Sequence, residues 1–157
     1  MDLPKRKLPR LSGFDYSSEN YYSITICTHN RKCLFGMPDK LTRFGRIAQE
    51  HILDIENHYD DIRIDRYVIM PNHIHAIVVI GCNPEAERSR PFPTLETIIG
   101  QYKSGVSREI HKISPGLKIW QKSYFDKIVR NETAYLEVCR YIDENPLKWI
   151  LDEGDDF

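Results

Sequence analysis

The sequence predicts a single α+β domain of ferredoxin-like (RRM-like), split-βαβ type. Its antiparallel sheet carries helices on one face, and a further helix follows at the C-terminus. Three observations lead there. Residues 20–28, 63–70 and 73–80 are rich in β-branched and aromatic residues, as strands are. Apolar residues recur three and four apart after residue 40, after 94 and after 131, as they do on helices with one buried face. The resulting order is β-α-β-β-α-β with one helix left over.

The first strand, residues 20–28, reads Asn-Tyr-Tyr-Ser-Ile-Thr-Ile-Cys-Thr and alternates in polarity. Over 40–58, Leu41, Phe44, Ile47, Ala48, Ile52 and Ile55 make the apolar stripe of a surface helix. The next two strands are separated by Pro71-Asn72 alone. Proline presets φ at the first corner and asparagine tolerates positive φ at the second, so a tight hairpin is expected. Residues 81–93 hold three prolines and read as a loop. Thr94 can cap a second helix with the stripe Leu95, Ile98, Ile99, Tyr102, Val106 and Ile110. Residues 116–130 read as extended, with an irregular break near 121–123. Asn131 can cap a last helix running through Glu144, with Asn145-Pro146 ending it.

The 157 residues are 41% hydrophobic and 11% aromatic, enough for one packed core, so residues 1–157 are expected to form one domain. No apolar run reaches membrane-spanning length. Lys5, Arg6 and Lys7 are not followed by an apolar segment, which argues against a secretory signal. Cys27, Cys33, Cys82 and Cys139 are scattered without a Cys-x-x-Cys pair, which fits reduced thiols and a cytoplasmic location. The net charge of −1 hides a basic arm over residues 1–12 and an acidic tail over 152–157. Between 98 and 131, Lys103, Arg108, Lys112, Lys118, Lys122, Lys127 and Arg130 outnumber Glu109 and Asp126. Tyr102, Trp120, Tyr124 and Phe125 lie among them. Cations meet phosphates and rings stack on bases, so this mixture suits single-stranded nucleic acid. It equally fits a solvated face above a core aromatic cluster. Lys103, Trp120, Lys122, Lys127 and Arg130 are the candidate DNA contacts.

Two patterns point to chemistry. In His73-Ile74-His75, residues two apart on a strand share a face, so both imidazoles point one way. Two adjacent imidazoles suit a metal ion, though they also fit two hydrogen-bonded surface histidines. On the last helix, Tyr141 and Asn145 are four apart and share a face. They also fit a boundary aromatic and a helix cap. If that helix packs on the histidine face, a phenol and a carboxamide come near two imidazoles. Neutral ligands would leave a divalent ion its full charge to polarise a phosphate, and a phenol can serve as covalent nucleophile. Tyr124 is the rival nucleophile, but only Tyr141 has a polar helical partner four residues on.

The ordered motifs Met70-Pro71-Asn72-His73-Ile74-His75, Ile119-Trp120-Gln121 and Tyr141-Ile142-Asp143-Glu144-Asn145-Pro146 resemble the one-tyrosine HUH transposases, and among them the REP-associated tyrosine transposase branch. Tyr21-Tyr22-Ser23-Ile24-Thr25 and Arg31-Lys32-Cys33-Leu34-Phe35-Gly36 are similar to that family too, so the resemblance spans nearly the whole chain. It implies a ferredoxin-like fold and a DNA strand transferase acting in transposition. His73, His75 and Asn145 would hold Mg²⁺ or Mn²⁺, and Tyr141 would attack single-stranded or hairpin DNA to leave a 5′-phosphotyrosine and a free 3′-hydroxyl. Imidazole alone favours Zn, Ni or Mn over Mg²⁺, which prefers oxygen, and phosphate oxygens would reconcile the two. Where relatives often carry a histidine after the Trp-Gln segment, this chain has Lys127. Some relatives work as homodimers that exchange the tyrosine helix and others alone, so both states stay open. Three other readings compete: a non-catalytic RRM-like binding module, an initiator or relaxase-type nickase, and a domesticated nickase acting on host repeats.

Overall fold

The computed structural model describes residues 20–81 and 93–153. The basic arm, residues 82–92 of the expected loop with Cys82, and residues 154–157 of the acidic tail lie outside them. In chain order come β1 (Asn20–Cys27), a 3-10 turn (His29–Arg31), β2 (Gly36–Met37), β3 (Lys40–Leu41) and α1 (Arg43–His58). Then follow β4 (Ile62–Met70), β5 (His73–Ile80), α2 (Leu95–His111), β6 (Phe125–Ile128) and α3 (Glu132–Glu153). The four principal strands form one antiparallel sheet in the order β4-β5-β1-β6. The first and third of them sit at the centre and the second and fourth at the edges, as the split-βαβ order requires. β2 and β3 make a separate two-stranded ribbon, which takes up residue 41 and delays α1 to Arg43.

Side-chain alternation sorts the sheet into two apolar layers. Ile24, Ile26, Ile69, Ile74, Ala76 and Val78 face α1 and α2. Tyr21, Val68, Met70, Ile77 and Val79 face Tyr135, Val138, Cys139 and Ile142 of α3. Two helices therefore cover one face and the last helix covers the other. β5 is buried at every position, because a central strand covered on both sides has no solvent face. No helix among the described residues is long and apolar enough to cross a membrane. Cys27, Cys33 and Cys139 are free thiols.

The Thr94 and Asn131 caps fall where expected, and Thr42 adds a third. Thr42 accepts from Gly45 N, Thr94 from Thr97 N, and Asn131 Oδ1 from Ala134 N at 2.8 Å. The 116–130 segment is extended but joins the sheet only at the Thr28–Trp120 bridge and along β6 to Val129, whose N donates to Tyr21 O. Two expectations are corrected. Asn72 is not among the positive-φ residues. The hairpin loop is instead held from outside, by Thr28 N on Asn72 O and Phe35 N on Pro71 O, both at 3.0 Å. And α3 does not stop at Asn145-Pro146 but continues to Glu153 with Pro146 inside it. The proline removes one backbone donor, yet the turn beyond it carries Trp149, which packs on the same layer as Ile142. That packing holds the helix together past the proline and makes Asn145 a buried mid-helix residue.

Gly45 decides how closely α1 approaches the chain before it. A Cβ there would lie 2.1 Å from the Phe35 carbonyl oxygen, so Gly45→Ala must push backbone apart. We expect a loss of about 1–3 kcal/mol, the range for overpacking. Gly100 in α2 has nothing within 4 Å of its would-be Cβ, so Gly100→Ala should instead gain roughly 0.5–1 kcal/mol. Equilibrium urea unfolding of both variants checks the contrast.

Candidate active site

The hairpin at Pro71-Asn72 delivers His73 and His75 to the start of β5, on the α3 side of the sheet with Ile77 and Val79. Both are buried, at 9% and 7% exposure. His73 Nδ1 lies 2.9 Å from Asn72 Oδ1. An amide oxygen only accepts, so Nδ1 carries the proton and Nε2 keeps its lone pair. His75 Nε2 lies 3.0 Å from Ser23 Oγ on β1, and its Nδ1 is buried with no partner among the described residues. Burial holds both imidazoles at about 4, below the usual histidine range. The Arg31 charge and His75 add to the effect at His73. Both are therefore neutral near pH 7, the form that binds metal.

α3 brings the second half of the site. It is pinned to β4 by Tyr135, whose hydroxyl donates to Asp65 Oδ2 at 2.6 Å, and by Arg66 Nη1 donating to Asp143 Oδ1 at 3.1 Å. Tyr21 and Tyr135 meet edge to face at 5.9 Å. So anchored, the helix sets the Tyr141 ring 5.0 Å from the His75 ring while leaving Tyr141 47% exposed. One turn on, Asn145 is 7% exposed and its Nδ2 has no partner among the described residues. Buried polar atoms left without partners cost stability and call for an explanation. Among the described residues, no group of three or more His, Cys, Asp or Glu could hold a metal ion. The donor set here is instead two neutral imidazoles and a carboxamide, and those residues fit a divalent ion completed by substrate oxygens.

The candidate DNA contacts separate in space. Trp120 is partly buried with the α1/α2 layer, 5.7 Å from the Phe35 ring, and its Nε1 donates to Lys103 O. Lys103 Nζ donates to Gln121 O at 2.9 Å, so both residues tie the irregular segment to α2. Tyr124 packs on that layer too, across the sheet from the histidines. Lys122, Lys127 and Arg130 are exposed. Lys127 pairs with Ser23, and Phe125 with Thr25, which in turn pairs with His75. Opposed residues share a face, so Lys127 and the 62%-exposed Phe125 lie on the histidine side. The sequence does not single out Ser23, Asn72 or Arg31 as members of this site, and it offers Phe125 only as one of several rings suited to nucleic acid. Asn72, adjacent to His73, carries a local sign but reads as a turn former.

A family model described as "Transposase IS200 like" matches residues 16–145, which include every residue of this site. The chain belongs to that transposase family. Transposition of DNA is accordingly the process in which the family places it, and the four-stranded antiparallel architecture agrees. A protein of Haemophilus influenzae (strain ATCC 51907 / DSM 11121 / KW20 / Rd), described as uncharacterized, is 34% identical over 165 residues, covering 94% of this chain and 92% of its own. Two solved structures share the fold. A REP-associated tyrosine transposase bound to a REP hairpin superposes with a TM-score of 0.56 at 18% identity, over 82% of this chain and 67% of that one. A candidate transposase from Deinococcus radiodurans R1 gives 0.54 at 15% identity, over 80% and 90%.

The buried imidazoles make the stability of this transposase pH-dependent. Their folded values, about 4, lie below the ordinary 6.5. Between those values the unfolded chain binds protons that the folded chain refuses, so stability is complete above about pH 6.5 and is lost as pH falls toward 4. Each imidazole contributes up to about 1.4 kcal/mol per pH unit in that window. Urea midpoints measured from pH 7 to 4.5 should fall more steeply for the wild type than for His75→Gln. Identical slopes would mean His75 is not buried in the neutral form.

Proposed function

We propose that this transposase cleaves and rejoins single-stranded or hairpin DNA through a covalent phosphotyrosine on Tyr141, with His73, His75 and Asn145 as ligands of Mg²⁺ or Mn²⁺. The observation that carries the reading is the Tyr141 ring lying 5.0 Å from the ring of His75, whose buried Nδ1 lacks a partner among the described residues. A binding module would have no use for a buried imidazole lone pair. The REP hairpin held by the structurally similar transposase supports DNA as the substrate. His73 through Nε2, His75 through Nδ1 and Asn145 through its amide oxygen would hold the metal. A divalent ion bound there supplies Lewis-acid polarisation of the phosphate.

The phenolic oxygen of Tyr141 forms a bond to phosphorus while the bond from phosphorus to the 3′-oxygen breaks. The phenol gives its proton to solvent at its exposed edge, and the departing 3′-oxygen takes one up. A 5′-phosphotyrosine and a free 3′-hydroxyl result. One phosphodiester replaces another, so the reverse attack by a 3′-hydroxyl can rejoin DNA without an outside energy source. Ser23 and Asn72 fix the ring orientation of the two histidines, as outer hydrogen bonds do for metal-binding imidazoles.

Tyr141→Phe removes one oxygen from a half-exposed ring, so folding and DNA binding should persist while the denaturation-resistant protein–DNA adduct disappears. Tyr124→Phe should stay active. An adduct formed by Tyr141→Phe would mean that another residue is the nucleophile. Calorimetry with Mn²⁺ in the presence of DNA reads the ligands separately. His73→Ala or His75→Ala should abolish binding, and Asn145→Ala should weaken it less, because water can replace a neutral carboxamide oxygen. Wild-type protein that binds no divalent ion under these conditions would return the sheet face to the binding-module reading.

A further inference from the structure

The turn that follows β1 holds a cation at the edge of the site. Asn30 and Arg31 have φ of 54° and 53°, a left-handed conformation that asparagine tolerates and arginine avoids. Two in succession persist only where surrounding structure imposes them. Here Thr28 N bonds to Asn72 O, His29 N to Ile119 O, and Arg31 N to Thr28 O. The chain is thereby doubled back on the end of β1, and Arg31 Nη1 comes to rest 3.5 Å from Cys27 Sγ. Cys27 is the ladder partner of His73, and the Arg31 charge helps keep His73 from protonating.

The groups placed next to this guanidinium are neutral: the Cys27 thiol and, across the ladder from it, the His73 imidazole. Among the described residues no carboxylate pairs with it, and its side-chain contact is a sulfur, a weak acceptor. Most of its five donors are thus unspent. Arg31 is exposed, as Lys122 and Lys127 are, but its backbone is held by the hairpin loop and its Nη1 rests on Cys27 Sγ.

We propose that Arg31 anchors the phosphodiester that Tyr141 attacks, its guanidinium binding the non-bridging oxygens and holding the phosphorus beside His73 and His75. The proposal rests on the strand-transfer reading and adds the residue that positions its substrate. The fork of donors matches paired phosphate oxygens, which a lysine ammonium does not. Backbone imposed before substrate arrives means little reorganisation is needed as charge develops on those oxygens.

Arg31→Gly separates the guanidinium from the backbone, because glycine accepts positive φ without strain. The variant should melt at or above the wild-type temperature. Without divalent metal, fluorescence anisotropy should show single-stranded DNA bound about tenfold more weakly, as for loss of one charge-assisted hydrogen bond. The log–log salt slope should fall by about 0.7, the share of one phosphate. At saturating DNA, adduct formation should slow by about a hundredfold, the scale of losing one preorganised donor. Arg31→Lys should recover binding but little of this rate. Wild-type affinity and salt slope in Arg31→Gly would overturn the proposal. So would weaker binding with an unchanged rate at saturation, which would make Arg31 a general backbone contact. If the wild type forms no adduct at all, the strand-transfer reading fails, and the metal-free binding comparison still decides whether Arg31 holds a phosphate.

Discussion

Strand β5 is buried at every position from His73 to Ile80, and the other elements are arranged around that burial. Its even-numbered residues meet the α1/α2 layer and its odd-numbered residues meet α3. A strand enclosed on both faces cannot slip by one residue, because the slip would exchange the two sets of side chains. The same constraint fixes His73 and His75. They continue the odd-numbered row that begins with Ile77 and Val79, so they face α3 where the apolar layer gives out. Burial that stabilises the fold at one end of the strand leaves two imidazoles neutral at the other.

α3 converts this row into a site. The Tyr135–Asp65 hydrogen bond and the Arg66–Asp143 pair hold the helix to β4, while Val138 and Ile142 fill the layer beneath. Tyr141 lies one residue before Ile142 on the helix and so reaches the edge of that contact, half in solvent. Continuation of the helix through Pro146 is part of the same arrangement. Had it ended at Asn145, the carboxamide would be free to satisfy itself as a cap. Held inside the helix by the packing of Trp149, it is instead buried with its Nδ2 lacking a partner. The polar cost at Asn145 and His75 is offset by the two apolar layers, which leaves His75 Nδ1 free to accept and Asn145 Nδ2 free to donate.

Much of this was legible in the sequence, and for a definable reason. Alternation and helical spacing are local properties, and they gave the order of elements, the shared face of His73 and His75, and the shared face of Tyr141 and Asn145. The three helix caps at Thr42, Thr94 and Asn131 depend on atoms within three residues, and two of them, Thr94 and Asn131, were readable from residue type alone. Proline chemistry misled at 146, because a local rule about backbone donors was outweighed by the long-range packing of Trp149.

What the sequence by itself determined is therefore whatever repeats within a turn or a pleat. Tertiary structure alone decided which sheet face α3 covers, since a period of 3.6 says which side of a helix is apolar but not what it meets. It also decided what faces His75, because Ser23 reaches its Nε2 across 52 residues of chain. And it decided Arg31, whose place beside His73 depends on a left-handed turn tied to a hairpin loop more than forty residues away. Contacts between distant segments form only when the whole sheet closes, and no local pattern records them.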